Sequence, residues 1–399
     1  MDQITEVTRE GWFSRIVGSF KSVLVGLCLF IVSFPVLWWN EGRAVQTTRS
    51  LDEGAGAVVT VQADKVDPAQ EGKLIHLAGL AQTTDELRDE DFGIEQKAIK
   101  LVRSVEMYQW VEVKKTETEK KLGGSEEKKT VYRYEKQWSA SRQDSSQFKE
   151  PTGHANPALK VEPLTRVAQN VTIGAFTLPR AMVDSIGPAT PLALGEPALG
   201  KLTPEFQAIA RVSDGAIMLR PGAVSASFDP TSPEIGDHRV AFSVVPAAEV
   251  SLVAKQRGST FEPYQTKAGD PISLIRAGKL TAEAMFQSAV AANQTLTWIL
   301  RAAGFLCMLF GVGMVFRPLV VVADVVPLIG SLLGLGTFLV AFGIALPLSA
   351  LTIAAAWLVV RPLLGGALIG GAVLVLVGVI ALGRKRKAAR AAKAASAAT

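Results

Sequence analysis

Residues 22–40 read SVLVGLCLFIVSFPVLWWN, 19 positions without a charge. A helix rises about 1.5 Å per residue, so the stretch reaches about 28 Å, the depth of a bilayer's hydrocarbon core. It opens after Lys21 and closes on Trp38, Trp39 and Asn40, the amphipathic rings that collect at a membrane–water boundary. A cleaved secretory signal would have an apolar run of roughly 7–15 residues ending in small side chains. This run is longer and ends in two tryptophans, so it reads as a retained first span.

A second apolar region lies near the other end. Thr281 is placed to cap a helix beginning at 282, and no proline follows until Pro318. A continuous helix over 282–316 would extend about 52 Å, nearly twice what the lipid requires. Its first part, with Gln287, Asn293 and Gln294, reads as a helical stalk at 282–297. Its second part, 298–317, reads as the second span, with Arg301 reaching back to the interface. Between Leu319 and Leu382 only Asp324 and Arg361 are charged. We assign an interfacial segment to 318–327, a third span kinked at Pro347 to 328–360, and a fourth span to 363–382. Whether 318–347 crosses the bilayer or lies in its interface is left open by the pattern. The expected fold is therefore an α+β membrane protein with four transmembrane helices. One large β-rich extracytoplasmic domain, residues 41–297, lies between the first and second.

Charge sets the expected orientation. The tail at 383–399 carries Arg384, Lys385, Arg386, Lys387, Arg390 and Lys393 without an acid, and Lys and Arg are retained on the cytoplasmic side. With four crossings, residues 1–21 would be cytoplasmic as well. The formal net charge of +5 comes from this tail, and the middle domain is acidic on balance. Basicity thus gives no support for a nucleic-acid partner. Cys28 and Cys307 both lie in apolar segments, which excludes a disulfide framework or a cysteine-based zinc site in the domain. Gly330 with Gly334, and Gly366 with Gly370, would let helices approach closely, either within one chain or at the seam of a homo-oligomer.

Inside the domain, 105–113 alternates, with Val105, Met107, Val111 and Val113 on one face and Tyr108 and Trp110 on the other. A second run puts Tyr132, Tyr134 and Trp138 on one side. The polar segment between them, with Gly123-Gly124 at its apex, predicts a hairpin with a solvated, mobile tip. Residues 240–245 and 250–257 read as a further strand pair, followed by 261–267. A helix is expected over 203–211 and a loop over 188–204.

Chemistry is sparse. His76, His154 and His238 are widely spaced, with no HxH or HxxxH pair, so no metal site is expected. There is no GxSxG elbow, no SxxK and no phosphate loop, and the reading names no catalytic residue and no cofactor. His154 reads as a turn residue whose ring bonds backbone. Arg317, Asp324 and Arg361, each close to a proline, read as marks of segment ends. The polar residues that remain as interaction candidates near the domain–membrane junction are Glu41, Gly42, Arg43, His76, His154, Arg257 and Arg301.

Several strings occur together in a known order. They are Asn40-Glu41-Gly42-Arg43-Ala44, Glu71 to His76, Val105 to Glu112 (VEMYQWVE), Gly153 to Pro157 (GHANP), Gly236-Asp237, Gln256-Arg257-Gly258 and Leu300 to Gly304 (LRAAG). In these the chain resembles the LUMA family (transmembrane protein forty-three) over nearly its whole length, about 10–385. The resemblance implies four spans and one large lumenal domain after the first, and no established catalytic residues. Vertebrate relatives belong to the endomembrane system, in the endoplasmic reticulum and inner nuclear membrane, where they self-associate and organise membrane proteins such as emerin and lamins. The alanine- and glycine-rich, cysteine-poor composition looks bacterial, which implies an inner membrane with a periplasmic domain and no lamina. The expectation is a membrane scaffold whose partners are the bilayer, further copies of itself and other membrane proteins, with no nucleic acid. The rival is a membrane-embedded enzyme or lipid-handling protein.

Overall fold

The computed structural model describes residues 3–222 and 228–360. In chain order its principal elements are β1 (Gln3–Glu10), α1 (Trp12–Ala57), β2 (Leu74–Thr83), β3 (Lys100–Lys120) and β4 (Glu126–Ser139). These are followed by β5 (Val171–Ile173), β6 (Ala216–Leu219), β7 (His238–Val245), β8 (Ala248–Arg257) and β9 (Leu274–Ala277). The chain ends in α2 (Ala282–Val315), α3 (Arg317–Ala323) and α4 (Pro327–Val360). Two compact units result: a β-rich unit of 1–8, 50–119 and 127–289, and a helical unit of 9–49, 120–126 and 290 onward.

The β-rich unit is built on two sheets. One has eight strands and contains β1-β4-β3-β7-β6 in that order; the other has seven and contains β5-β2-β8, with β9 also on β8. Alternation decides which side chains face inward. In the first sheet Val105 pairs with Val240 and Leu101 with Val244; in the second Leu77 pairs with Leu252 and Ile75 with Ala254. Leu101, Val105, Val240, Ile75, Leu77, Leu252 and Ala254 are buried together in one core with Phe92, Phe176 and Phe242. An ion pair inside this body that is buried on both sides joins Arg103 to Asp89. Its Nη1 reaches the two carboxylate oxygens at 2.9 and 2.8 Å while Nε donates to Glu162 O. Burial nevertheless outweighs Arg103 and raises the Asp89 pKa.

Several expectations need correction here. The strands at 240–245 and 250–257 do not pair. Pro246 and Ala247 carry the chain from one sheet to the other, so β7 borders β3 and β8 borders β2. The helix expected over 203–211 is only Pro204–Gln207, because 210–213 is taken into a strand against β6. Most consequential, Gln3–Glu10 is a strand in the same sheet as β4.

Among the described residues the helical unit contains three helices long and apolar enough to cross a membrane, α1, α2 and α4. The 22–40 stretch is part of a much longer helix, and the stalk and second span are one uninterrupted helix, as its spacing predicts. Ala284 N donates to Thr281 Oγ1 at 3.2 Å, so Thr281 does cap α2. The 318–327 segment contains the short α3, and α4 runs as one helix through Pro347. The turn at 361–362, the fourth span and the basic tail lie outside the described residues.

α1 and α2 run antiparallel in close contact, and the glycines show why. A Cβ on Gly26 would meet Met314 Cβ at 2.6 Å and Gly311 O at 2.7 Å; one on Gly311 would meet Phe30 N at 2.7 Å. Two turns further along, Gly304 makes room for Leu37, which is fully buried and packs with Met308, Leu309, Ala341 and Ala345. Backbones that touch gain dispersion contacts that a lipid tail cannot replace. Around this seam Leu24, Ile31, Val32, Ile299, Leu306, Phe310, Leu332 and Leu339 remain exposed, as a lipid solvent permits. Leucine at Gly26 or Gly311 should overpack the seam and cost about 1–3 kcal/mol. Leucine at Gly313, whose Cβ position is open, should be near neutral. Thermal unfolding in detergent measures the difference.

Candidate functional site

Two polar layers close the apolar zone of the helical unit, and the junction candidates sit in one of them. On α2, Asn293, Thr297 and Arg301 follow at four-residue intervals and so share one face. Opposite them α1 presents Asn40, Glu41, Arg43, Ala44 and Thr48. Asn40 Nδ2 donates to Thr297 O at 3.1 Å, and Asn293 Nδ2 donates to Ala44 O at 2.9 Å and Thr48 Oγ1 at 3.2 Å. Arg43 donates through Nη1 to Asn293 Oδ1 at 2.9 Å, and through Nη2 to Thr297 Oγ1 at 3.1 Å and Asn40 Oδ1 at 3.3 Å. These amide and hydroxyl groups would each cost free energy if buried unpaired, and here they satisfy one another.

Glu41 is the centre of the layer. It is 1% exposed, and Arg301 grips it bidentately, Nε to Oε1 and Nη2 to Oε2, both at 2.7 Å. Trp357 of α4 adds Nε1–H to Oε2 at 2.6 Å. The Arg301 guanidinium lies 4.8 Å from the Trp298 ring centroid and 5.6 Å from that of Trp357. A buried carboxylate with three charge-assisted donors, joined to a guanidinium between aromatic rings, is held in one geometry. Beside it lies a cavity of about 350 Å³ lined in part by Glu41, Thr48, Gln294, Trp298, Arg301 and Trp357.

The second layer was not anticipated. Arg15 Nη2 pairs with Asp324 Oδ2 at 2.5 Å and Arg15 Nε with Glu126 Oε2 at 3.0 Å, while Lys120 Nζ holds Asp324 Oδ1 at 2.7 Å. Asp324 is 0% exposed. The hairpin tip is therefore docked: Gly123 N donates to Val325 O at 3.0 Å and Arg15 Nη1 to Gly124 O at 2.5 Å. Gly124, at φ +78°, packs so closely on Trp12 that no Cβ would fit. The mobile, solvated tip is corrected accordingly, and Asp324 is an anchor as well as a segment-end mark. Along α1 the two layers, at Arg15 and Glu41, are about 39 Å apart.

The other junction candidates do not join this cluster. Gly42 lies within α1 with open space where a Cβ would be. His76, His154 and Arg257 belong to the β-rich unit. His76 is buried between Thr60 Oγ1 and Leu280 O, and burial lowers its pKa against the opposing effect of the Leu280 carbonyl. His154 stacks on Tyr134 with Nδ1 3.0 Å from Glu150 O, so its ring bonds backbone as the turn reading predicts. His238 is buried on β7 and accepts from Lys160 N at 3.3 Å; desolvation lowers its pKa too. Arg257 is exposed and pairs with Glu262 across the β8 turn. The residues sequence reasoning missed are Asn40, Asn293, Thr297 and Trp357. Their signal was the four-residue spacing of Asn293, Thr297 and Arg301 on one helix face.

Cutting one side of the central pair leaves an uncompensated buried charge. Glu41→Gln or Arg301→Met alone should each cost about 3–5 kcal/mol, and the double variant should recover most of that loss. A thermal double-mutant cycle in detergent reads it; independent, additive losses would show that Glu41 and Arg301 do not act as a pair.

No solved structure matches this chain. The model of the family described as Transmembrane protein 43 matches residues 107–362. Among curated proteins, Transmembrane protein 43 of Mus musculus is 36% identical over 94% of this chain and 92% of its own length. The Homo sapiens protein is 35% identical over 89% and 88%, and a Drosophila melanogaster homolog 29% over 92% and 94%. The chain belongs to the transmembrane protein 43 family.

Proposed function

We propose that this membrane protein is a non-enzymatic organiser that self-associates and gathers other membrane proteins around its helices and its β-rich domain. The observation that carries this reading is the saturation of Glu41. Its two oxygens accept three bonds from Arg301 and Trp357, so the most buried acid of the junction is committed to joining helices. A general acid or base needs a proton to exchange and room for a reacting atom within hydrogen-bond reach. The Asp324 oxygens are spent in the same way on Arg15 and Lys120.

Self-association has a narrower basis. Gly330 is used within the chain, since a Cβ there would collide with Asp324, so this glycine serves internal packing. Gly366 and Gly370 lie outside the described residues. Gly336 and Gly343 on α4 have open space at their Cβ positions, which lets a second helix approach. In lipid nanodiscs at low protein loading, the purified chain should run as a dimer or larger on mass measurement. A monomer at every loading would overturn self-association.

The basic tail supports a cytoplasmic C-terminus and an extracytoplasmic β-rich body, periplasmic in a bacterial inner membrane. The two native thiols, Cys28 and Cys307, would first be replaced. In intact cells an impermeant maleimide should then label Ser259→Cys, on an exposed turn, and spare Thr399→Cys. The reverse pattern would invert the orientation.

A further inference from the structure

The β-rich unit holds a cavity whose polar side chains the fold leaves largely unused. β2 and β5 lie side by side at one edge of it, with Gln82 directly across from Thr172. Ala247, where the chain passes from one sheet to the other, borders the same space. So does Lys97, the last residue of a hairpin formed by Glu86–Asp89 and Ile94–Lys97. The cavity measures about 410 Å³, and its polar lining is Gln82, Thr83, Thr84, Lys97, Asn170 and Thr172. Sites for small molecules run from about 300 to 1,000 Å³.

Lys97 is the one charged residue of this lining. Among the described residues it makes no ion pair and no hydrogen bond. The carboxylates beside it in sequence or across the hairpin are committed elsewhere. Asp85 accepts from Gln169 N at 2.7 Å, Asn170 N at 2.9 Å and Asn170 Nδ2 at 3.2 Å. Glu86, opposite Lys97, lies 3.2 Å from Arg88 Nη2, and Glu95 lies 3.4 Å from Arg88 Nε. Thr83 is spent as well, donating to Asn170 O and accepting from Asp85 N. That leaves the Gln82 amide, the Thr84 and Thr172 hydroxyls and Asn170 Oδ1 without a partner among the described residues.

We infer that this cavity binds a small polyhydroxy carboxylate, the chemical class of the sugar acids. Its carboxylate pairs with the Lys97 ammonium and its hydroxyls meet Gln82, Thr84, Asn170 and Thr172. One uncompensated positive charge matches one negative charge, whereas a phosphate monoester brings about −1.5 to −2. The neutral groups offer donors and acceptors together, as a hydroxyl requires. A fatty acid would strip water from them and return no bonds. No aromatic ring lines the cavity, so a nucleobase would find nothing to stack on.

Glucuronate is the probe, and glucuronamide, in which a neutral amide replaces the carboxylate, is its control. Each is titrated calorimetrically into the full-length chain in lipid nanodiscs, with empty nanodiscs as the blank. One glucuronate per chain should bind, and glucuronamide should bind about tenfold more weakly or worse. Lys97→Met should weaken glucuronate by about the same factor, while Lys97→Arg keeps most of the affinity. Lys279→Met, at an exposed position elsewhere on the unit, should bind as the wild type does. Equal thermal midpoints show that Lys97→Met has folded; if it has not, the comparison of the two probes on the wild type decides. No binding of glucuronate, equal binding of glucuronamide, or full binding by a folded Lys97→Met would overturn the site. So would an equal loss in Lys279→Met, which would mean that any surface lysine serves.

Discussion

The arrangement of the helices depends on one buried acid. Glu41 bonds to side chains of both α2 and α4, through Arg301 and Trp357, and it does so from within α1. Burying a carboxylate costs several kcal/mol, which is recovered only when its oxygens are fully paired. That requirement acts as a register mark. If α1 slid by one residue against α2, the Glu41–Arg301 bond would break, and Gly26 and Gly304 would no longer face Gly311 and Leu37. Apolar surface in lipid gives little preference for one register over another, because a lipid tail is as good a neighbour as a leucine. Specificity has to come from backbone contact at glycines and from polar groups with a single set of partners. The α1–α2 seam uses both.

The two polar layers divide the work differently. The Glu41 layer is rich in neutral amides and hydroxyls, so most of its bonds hold at any pH. The Arg15–Asp324 layer is ionic, and its fourth member, Glu126, comes with the apex of the β3–β4 hairpin. An apex with two glycines at positive φ would be entropically costly to fix. Arg15 offsets that cost with three interactions at once, to Asp324, Glu126 and Gly124 O.

How much of this was legible in sequence follows from the range of each interaction. The 22–40 span, the continuous 282–315 helix and its Thr281 cap could be read because they depend on composition and on neighbours within one turn. The alternation of 105–113 gave β3 correctly for the same reason. The pairing of 240–245 with 250–257 failed because adjacency in sequence favours a hairpin, and nothing local says that Pro246 moves the chain to another sheet. The tip at 120–126 failed similarly: its nearly balanced charges look like a solvated loop unless the buried Arg15 and Asp324, at sequence separations of 109 and 204, are known to be waiting. Among the site candidates, Glu41, Arg43 and Arg301 converge, whereas His76, His154 and Arg257 serve the β-rich unit.

The failures have a common physical source, and it bears on function. Long-range polar contacts were the features the sequence hid, and they are also the features on which this molecule spends its buried charges. In the helical unit the buried acids, Glu41 and Asp324, are both held by cations from other segments. In the β-rich unit the strongly buried Asp89 is likewise held, by Arg103, within the domain's body. Chemistry of that kind fixes positions. Buried charges placed in this way hold the helices, and within the β-rich unit the strands, at set distances.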